Sequence, residues 1–244
     1  MERVEGRAAV VTGAASGIGL AVSEALAAAG LRVLMTDLDG EALAQAASSI
    51  GVADAVPLDV RDPDAVSDVA QEVVDRFGGL HIAVNNAGIV NGGNSWELSL
   101  EEWHRVLDVN LWGVIHGVHA FVPRILATGE EGHVVNVASM AAVIARPGIA
   151  PYTVAKHGVL GLSDVLRGEL EAASAPVGVS VVMPGAIRTG MNPIGTVEPS
   201  AVATNVLDAI RRGRPYVFTD DHSTEAADTR LRQIIASRAD VLPG

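Results

Sequence analysis

Three residues in the second half of the sequence have the types and spacing for acid–base chemistry: Ser139, Tyr152 and Lys156. Tyr152 and Lys156 are four residues apart in a stretch that we predict to be helical, so their side chains share one face. A free tyrosine has a pKa near ~10, but a nearby ammonium stabilises the phenolate and lowers that pKa. Ser139 follows a predicted strand, from whose end its hydroxyl could bind a substrate oxygen. A Tyr-x-x-x-Lys pair alone is more often a surface pair, so the interpretation depends on the rest of the sequence.

A glycine-rich segment lies between the first predicted strand and the first predicted helix, and it reads Thr12-Gly13-Ala14-Ala15-Ser16-Gly17-Ile18-Gly19. Glycines let a chain turn tightly and approach a pyrophosphate, and a helix N-terminus supplies unpaired N–H donors with a partial positive charge. The spacing is G-x-x-x-G-x-G, not the general G-x-G-x-x-G. We predict a dinucleotide-binding loop with contacts from Gly13, Ser16, Gly17, Ile18 and Gly19.

Asp37 ends the second strand-like run, where dinucleotide-binding folds place an acid. A carboxylate there binds the adenosine ribose hydroxyls of NAD and repels the 2′-phosphate of NADP. No Arg or Lys stands at Ser16, Leu38 or Asp39 to receive that phosphate. We therefore predict NAD as the cofactor, with Asp37 and Leu38 in contact with it. The alternative is that Asp37 is a solvated loop acid.

The elements that must position these residues alternate along the whole chain. Apolar strand-like runs are predicted at 8–11, 31–36, 53–58, 81–84, 133–138, 177–183 and 216–219. Helical patterns are predicted at 17–29, 40–49, 63–77, 100–127 (mostly helical, in two segments), 151–173, 199–212 and 223–238. Continuous apolar strands alternating with helices are typical of a parallel sheet covered on both faces. We predict one doubly wound (Rossmann) α/β domain over residues 1–244, with a mainly parallel seven-stranded sheet, a substrate loop at about 190–199 and a C-terminal tail at about 220–244.

Further motifs fall where the later strands end. They are Asp59-Val60, Asn85-Asn86-Ala87-Gly88, Asn110 and Pro184-Gly185-Ala186-Ile187-Arg188-Thr189, in addition to Ser139, Tyr152, Lys156 and the glycine loop. In this combination the sequence resembles the short-chain dehydrogenase/reductase family from Gly6 to about Thr219. One departure is the segment between Met191 and Pro199, which is short where many relatives carry a longer substrate lid.

The resemblance implies roles for individual residues. Adenine would contact Asp59 and Val60, and the adenosine ribose side would be lined by Asn86, Ala87 and Gly88. Asn110 would hold a water in a proton relay through Lys156, which would also bind the nicotinamide ribose. The remaining cofactor contacts would come from Tyr152, Pro184, Gly185, Ile187 and Thr189. The substrate would lie against Ser139, Ala141, Ile144, Tyr152 and Met191. We expect an apolar secondary alcohol or ketone, because most of the expected pocket wall is aliphatic: Val90, Asn91, Ala141, Val143, Ile144, Pro147, Met191 and Ile194.

Composition excludes other classes of protein. The formal net charge is −12, with 17 basic and 29 acidic residues, which argues against nucleic acid and anionic membranes as partners. Without cysteine there are no disulfides, zinc–thiolate sites or cysteine nucleophiles. His116 and His119 have helical spacing but no matching third ligand, so we expect no metal site. The resemblance places them instead near a subunit interface of a homo-oligomer, a tetramer or a dimer, and we expect a cytoplasmic protein.

Three functions remain open from the sequence. The first is an NAD(H)-dependent dehydrogenase that interconverts a secondary alcohol and a ketone, with Tyr152 as general acid and base. The second is an NADPH-dependent biosynthetic ketoreductase of the 3-oxoacyl type, against which Asp37 and the net charge of −12 both argue. The third is a non-catalytic NAD-sensing module on the same fold, since a fold alone does not determine function.

Overall fold

The computed structural model describes residues 1, 4–51, 53–219 and 221–240. Its strands are β1 Ala8–Thr12, β2 Arg32–Asp37, β3 Ala53–Pro57, β4 Ile82–Asn85, β5 Gly132–Val137, β6 Val177–Met183 and β7 Tyr216–Phe218. They form one seven-stranded sheet in the order β3-β2-β1-β4-β5-β6-β7, and every adjacent pair in it is parallel. The predicted mainly parallel sheet is thus confirmed, and in the described residues it is wholly parallel.

Helices cover both faces of the sheet. They are α1 Gly17–Ala28, α2 Gly40–Ile50, α3 Pro63–Phe77, α4 Leu100–Leu107, α5 Gly113–Ala127, α6 Ala150–Ala172, α7 Pro199–Arg212 and α8 Asp221–Ala236. A π-helical turn, Asp108–Trp112, joins α4 to α5, and short 3-10 helices occupy Met140–Ala142 and Ser237–Asp240. The predicted helix over 223–238 corresponds to α8, whereas residues 220 and 241–244 of the predicted tail lie outside the described residues.

Alternation along the strands builds two cores. In β1, Ala9 and Val11 face one core, which α1, α2 and α7 complete. Ala8 and Val10 face the other core, which α3, α5 and α6 complete. All residues of β1 are buried, as expected for a strand with helices on both faces. The strands are therefore mostly apolar, although Thr36, His133 and Ser180 are buried polar residues within them, and the candidate site lies at their carboxyl ends.

Local signals fix where several helices begin and end. Asp62 caps α3 by accepting hydrogen bonds from the backbone N–H groups of Asp64 and Ala65, and Pro63 occupies the first helical position. Gly78 ends the same helix in the left-handed conformation, with φ of 80°. This confirms the predicted start and stop of that helix. None of the described helices is long and apolar enough to cross a membrane.

The order of the strands in the sheet determines where the candidate site lies. From β1 the chain winds outward to β3, and then returns to β4 on the other side of β1. In such sheets a crevice opens at the carboxyl ends of the two strands where the winding reverses, here β1 and β4, and ligands bind in that crevice. The glycine loop follows β1 and the Asn85–Gly88 motif follows β4, so both lie at this edge.

Candidate active site

A cavity of about 550 Å³ lies at the carboxyl edge of the sheet. Most of the residues predicted from the sequence line it, and these are Gly13, Ser16, Gly17, Ile18, Asp37, Leu38, Asp59, Val60, Asn86, Ala87, Gly88, Ser139, Tyr152, Lys156, Pro184, Gly185, Ile187, Thr189 and Met191. The other four, Gly19, Asn110, Ala141 and Ile144, do not form its wall. The fold thus brings the glycine loop, Asp37 and the Ser139–Tyr152–Lys156 set to one cavity.

The glycine loop needs its glycines for two reasons. Gly13 and Gly17 have φ of +65° and +56°, a region that residues with a Cβ rarely adopt. Gly19 lies inside α1, where a Cβ would be 2.1 Å from the carbonyl oxygen of Gly13. Gly19 therefore lets α1 pack directly against the loop, although it does not line the cavity. The first N–H groups of α1 lack intrahelical partners and so remain available to an anion.

Asn86 joins the ends of β1 and β4. Its Nδ2 donates to the carbonyl oxygens of Thr12 and Gly13 at 2.9 and 3.0 Å. In return, the Thr12 hydroxyl oxygen accepts from the backbone N–H groups of Asn86 and Ala87 at 3.0 and 3.1 Å. The Asn86 side chain thus holds the glycine loop in place, while its predicted contact with a ribose stays a prediction.

The carboxylate of Asp37 faces the glycine loop. Its Oδ2 accepts from the backbone N–H of Ala15 at 3.0 Å, and its Oδ1 accepts from that of Asp39 at 3.2 Å. At the start of α1, the Ser16 side chain makes no capping hydrogen bond to the helix. An oriented carboxylate next to an uncapped helix N-terminus and a glycine cradle fits a dinucleotide, whose ribose donates hydrogen bonds and whose pyrophosphate accepts them.

Lys156 is buried beneath the cavity and reaches the end of β5. Its Nζ donates to the carbonyl oxygen of Val137 at 2.9 Å and lies 5.6 Å from the ring centroid of Tyr152. Desolvation lowers the pKa of Lys156 to about 8. Helical i, i+4 spacing on α6 therefore places the ammonium beside the phenol ring, as the sequence predicted.

Tyr152 and Ser139 face the same cavity. Burial raises the pKa of Tyr152, and a hydrogen bond with the Ser139 side chain partly opposes that rise by lowering it. The sequence predicted a lowered pKa, and in this structure that direction is wrong because desolvation outweighs the stabilising contacts. The Ser139 hydroxyl oxygen accepts from the backbone N–H of Ala141 at 3.1 Å, which fixes the side chain at the start of a 3-10 helix.

Asn110 stands in the middle of the π-helical turn and is fully buried. Its Nδ2 donates to the carbonyl oxygens of Ile89 and Val106 at 2.7 and 3.0 Å, and its Oδ1 accepts from the backbone N–H of Ile89 at 3.0 Å. A Cβ on Gly88 would lie 2.7 Å from that Oδ1. Asn110 thus fastens the segment after β4, and its predicted role in a water relay stays a prediction.

Two predicted substrate contacts, Ala141 and Ile144, are not among the residues that line the cavity. The 3-10 helix Met140–Ala142 turns this segment toward a core cluster, which contains Val143 and Ala227 and against which Ile144 packs. Ala141 is 7% exposed and does not reach the cavity wall. The sequence predicted no 3-10 helix here, and contact of Ala141 and Ile144 with a substrate stays a prediction. Met191 does line the cavity and is 47% exposed.

Several lining residues were not predicted from the sequence: Leu58, Arg61, Ile89, Arg105, Val109, Val137, Ala138, Gly190 and Asn192. For two of them a signal was present. Arg105 and Val109 share a helix face by i, i+4 spacing in the stretch that carries Asn110. Arg61 lies two residues beyond Asp59, but its role depends on a side-chain contact that no sequence pattern predicts.

Histidines take no part in a metal cluster within the described ranges. No group of three or more His, Asp or Glu side chains there could hold a metal ion. His116 instead contacts the carbonyl oxygen of Val60 through Nδ1 at 2.9 Å. Because a carbonyl only accepts, Nδ1 of His116 carries the proton.

The fold and the cavity together define a nicotinamide-dinucleotide-dependent oxidoreductase. The family model described as short chain dehydrogenase matches residues 7–200. The chain belongs to the short-chain dehydrogenase/reductase family, as the motifs predicted.

Known relatives cover nearly all of the chain. A 1-deoxy-11-beta-hydroxypentalenate dehydrogenase from Streptomyces avermitilis is 41% identical, over 90% of this chain and 87% of the relative. A cyclohexanol dehydrogenase from Acinetobacter is 36% identical, over 91% of this chain and 95% of the relative. Among solved structures, a short chain dehydrogenase/reductase from Burkholderia phymatum in complex with NAD is 30% identical, with a TM-score of 0.95 over 100% of this chain and 99% of that one.

Proposed function

We propose that the protein is an NAD(H)-dependent dehydrogenase that interconverts an apolar secondary alcohol and the corresponding ketone. The observation that carries this proposal is that Ser139, Tyr152 and Lys156 line the same cavity as Asp37 and the glycine loop. Proton-transfer groups and dinucleotide-binding groups thus share one space. The two relatives named above as dehydrogenases of hydroxylated compounds support the same reaction class.

Proton transfer is the part of the reaction that this chain performs. The nicotinamide, when bound, supplies the hydride donor or acceptor. The hydroxyls of Ser139 and Tyr152 bind the substrate oxygen from one side, since both groups face the cavity. In ketone reduction Tyr152 donates its proton to that oxygen, and in alcohol oxidation it accepts the hydroxyl proton. The Lys156 ammonium favours the phenolate form, because opposite charges lower the pKa of an acid.

The preference for NAD over NADP rests on charge. Asp37 presents a carboxylate held by two backbone N–H groups at the ribose side of the loop. Arg61 also lines the cavity, but its guanidinium is paired with Asp59 at 2.6 Å. That pairing leaves Arg61 poorly placed to compensate the charge of a 2′-phosphate near Asp37.

Apolar substrates are favoured by the wall beside the catalytic hydroxyls. Met191 and Ile187 line the cavity there, together with the backbone of Gly190. The relative named cyclohexanol dehydrogenase makes cyclohexanol a sensible first substrate. Other members of a test panel are larger cyclic and open-chain secondary alcohols.

The test is NADH formation over this panel, with NAD⁺ and NADP⁺ run in parallel. Tyr152→Phe removes the proton-transferring hydroxyl, so turnover should fall by at least about 10²–10⁴-fold while NADH affinity stays nearly unchanged. Tyr216→Phe is the matched control, because this other tyrosine lies on β7 and its hydroxyl donates to Asp164 at 2.8 Å, away from the cavity. Retained turnover in Tyr152→Phe would remove Tyr152 from its proposed role. NADH binding without turnover on any alcohol would favour the NAD-sensing module.

We also propose that the protein assembles as a homo-oligomer, with a tetramer as the first expectation and a dimer as the alternative. Large apolar side chains remain exposed on the helices that cover the sheet: Trp112 is 51% exposed, and Val154 and Val165 on α6 are 49% and 59% exposed. Burial of such groups against a second copy would be favourable. Light scattering at several concentrations measures the mass, and a monomer throughout would contradict the proposal.

A further inference from the structure

The segment that begins at Ser139 is anchored at its start by the chain that follows β6. The backbone N–H of Met140 donates to the carbonyl oxygen of Pro184 at 2.9 Å. After one 3-10 turn, Val143 is the last buried residue of the segment, because residues 145–147 are exposed. The far end of the segment therefore needs a second anchor before the chain crosses to α6.

Helix α8 supplies this second anchor. Nη1 of Arg230 donates to the carbonyl oxygen of Val143 at 2.9 Å, across 87 positions of sequence. One turn earlier on α8, Ala227 is 4% exposed and belongs to the same core cluster as Met140, Ala142 and Val143. The C-terminal helix is thus joined to the 3-10 helix by a buried methyl group and by a hydrogen bond from a cation.

Arg230 lies outside the cavity. It is not among the residues that line the wall, so it is not placed to contact a substrate or a cofactor. Its guanidinium bonds a backbone carbonyl, and such a bond fixes the path of the chain. Here that path belongs to the residues directly after Ser139. An effect of Arg230 on the reaction must therefore act through the position of Ser139.

The position of Ser139 matters to Tyr152. The hydrogen bond between their side chains lowers the pKa of Tyr152 and opposes the rise that burial causes. Hydrogen bonds weaken as their distance and angle depart from the preferred geometry. A displaced Ser139 hydroxyl would therefore stabilise the phenolate less. Lys156 would keep its own contribution, because its Nζ is held separately by the carbonyl oxygen of Val137 at 2.9 Å.

We propose that Arg230 is a positioning residue: it holds the carbonyl of Val143 and so keeps the Ser139 hydroxyl within reach of Tyr152 and of the substrate oxygen. The inference rests on the proposed function, because Ser139 and Tyr152 act together in that reaction. It gives the C-terminal helix a part in aligning the proton-transfer groups, although Arg230 itself transfers no proton.

The first measurement needs no turnover. The sequence contains two tyrosines, Tyr152 and Tyr216, so in a Tyr216→Phe background the ultraviolet absorbance of phenolate reports Tyr152 alone. The comparison is made at the highest pH at which circular dichroism shows every variant folded. Arg230→Met should lower the phenolate fraction at least about threefold, which corresponds to a rise of roughly half a unit in the pKa of Tyr152.

Two further variants separate positioning from a general loss of structure. Arg230→Lys keeps a cationic donor and should restore most of the phenolate fraction. Ser139→Ala removes the hydrogen bond to Tyr152 directly and should itself lower the fraction. Adding Arg230→Met to Ser139→Ala should lower it no further, because both changes remove the same interaction.

Steady-state kinetics on the best alcohol of the panel gives the second measurement. Arg230→Met should lower kcat at least about fivefold, because a displaced Ser139 misaligns the substrate oxygen, while the KM for NAD⁺ changes less than about twofold. Arg232→Met is the matched control. Arg232 lies on the same helix but pairs with Asp228 at 2.7 Å and is 79% exposed, so its variant should keep the wild-type values.

An unchanged phenolate fraction in Arg230→Met, or an equal decrease in Arg232→Met, would overturn the inference. A wild-type protein that oxidises no alcohol would refute the proposed function instead. The phenolate measurement would then still decide whether Arg230 positions Ser139, so the two failures are distinguishable.

Discussion

Asp37→Asn is the substitution that most directly tests the cofactor assignment. Asparagine has nearly the same shape as aspartate, and its side-chain oxygen can still accept the hydrogen bond that Ala15 N–H donates to Asp37 at 3.0 Å. The hydrogen bond to the glycine loop is therefore kept, whereas the longer one from Asp39 N–H at 3.2 Å and the negative charge are lost. The substitution isolates charge from shape, which replacement by alanine would not do.

The size of the effect follows from two contributions. Hydrogen bonds to a charged acceptor exceed those to a neutral one by about 1 kcal/mol each, so losing the charge under two ribose hydroxyls costs about 2 kcal/mol with NAD. For NADP, a carboxylate and a phosphate charge about 4 Å apart repel by about 4 kcal/mol at an effective dielectric constant of about 20, as an upper bound. Solvent screening reduces this repulsion. We expect the ratio of kcat/KM for NAD⁺ over NADP⁺ to fall by at least about 100-fold, since about 1.4 kcal/mol corresponds to tenfold.

The assay is steady-state kinetics with each cofactor on the best alcohol of the panel. Asp39→Asn is the control: Asp39 caps α2 by accepting from Ala42 N–H, does not line the cavity, and is replaced by another good capping residue. Its variant should keep the wild-type preference. If Asp37→Asn leaves the preference for NAD⁺ unchanged, or if the wild type already prefers NADP⁺, the carboxylate does not select the cofactor and the reasoning fails.

Two further predictions concern pH. Because burial raises the pKa of Tyr152, its phenolate is scarce at neutral pH. The rate of alcohol oxidation should therefore increase from pH ~7 to ~10, while the rate of ketone reduction stays constant and then declines. Two flat pH–rate profiles would contradict this prediction. Burial also lowers the pKa of His133 from 6.5 to about 4. Between these two pH values the unfolded chain binds a proton that the folded chain does not, so the contribution of His133 to stability is present above pH 6.5 and is lost as the pH falls toward about 4. Between pH ~7 and ~4 the free energy of unfolding, measured by urea denaturation, should fall by roughly 3 kcal/mol more in the wild type than in His133→Gln. Equal losses in the two proteins would refute this prediction.

Sequence patterns predicted the parts of the fold that local physics determines. Asp62, Pro63 and Gly78 predicted where α3 starts and stops, because capping depends on neighbouring residues alone. The glycine loop and Asp37 were likewise predictable, since their conformation and place after a strand follow from residue type. Apart from Gly19, the predicted contact residues of the loop and Asp37 line the cavity.

Tertiary contacts decided what the sequence could not predict. In the π-helical turn, Gly113 N–H bonds the carbonyl oxygen of Asp108, five residues back, although no proline interrupts the stretch. The turn buries Asn110 where it can bond Ile89, a partner distant in sequence. The 3-10 helix Met140–Ala142 was likewise not predicted, because it packs in one cluster with residues of α6 and α8 that are distant in sequence.

The raised pKa of Tyr152 shows that tertiary burial also determines the protonation state of the site. At neutral pH Lys156, with a pKa of about 8, is still mostly charged, and Tyr152 is protonated because its pKa is raised. The resting site therefore holds both protons, and in the proposed reaction it can donate one to a ketone oxygen. Alcohol oxidation must first remove the phenol proton, which the buried ammonium makes less costly through its charge. The protonation state of the resting site thus follows from burial, a property that the spacing of Tyr152 and Lys156 does not reveal.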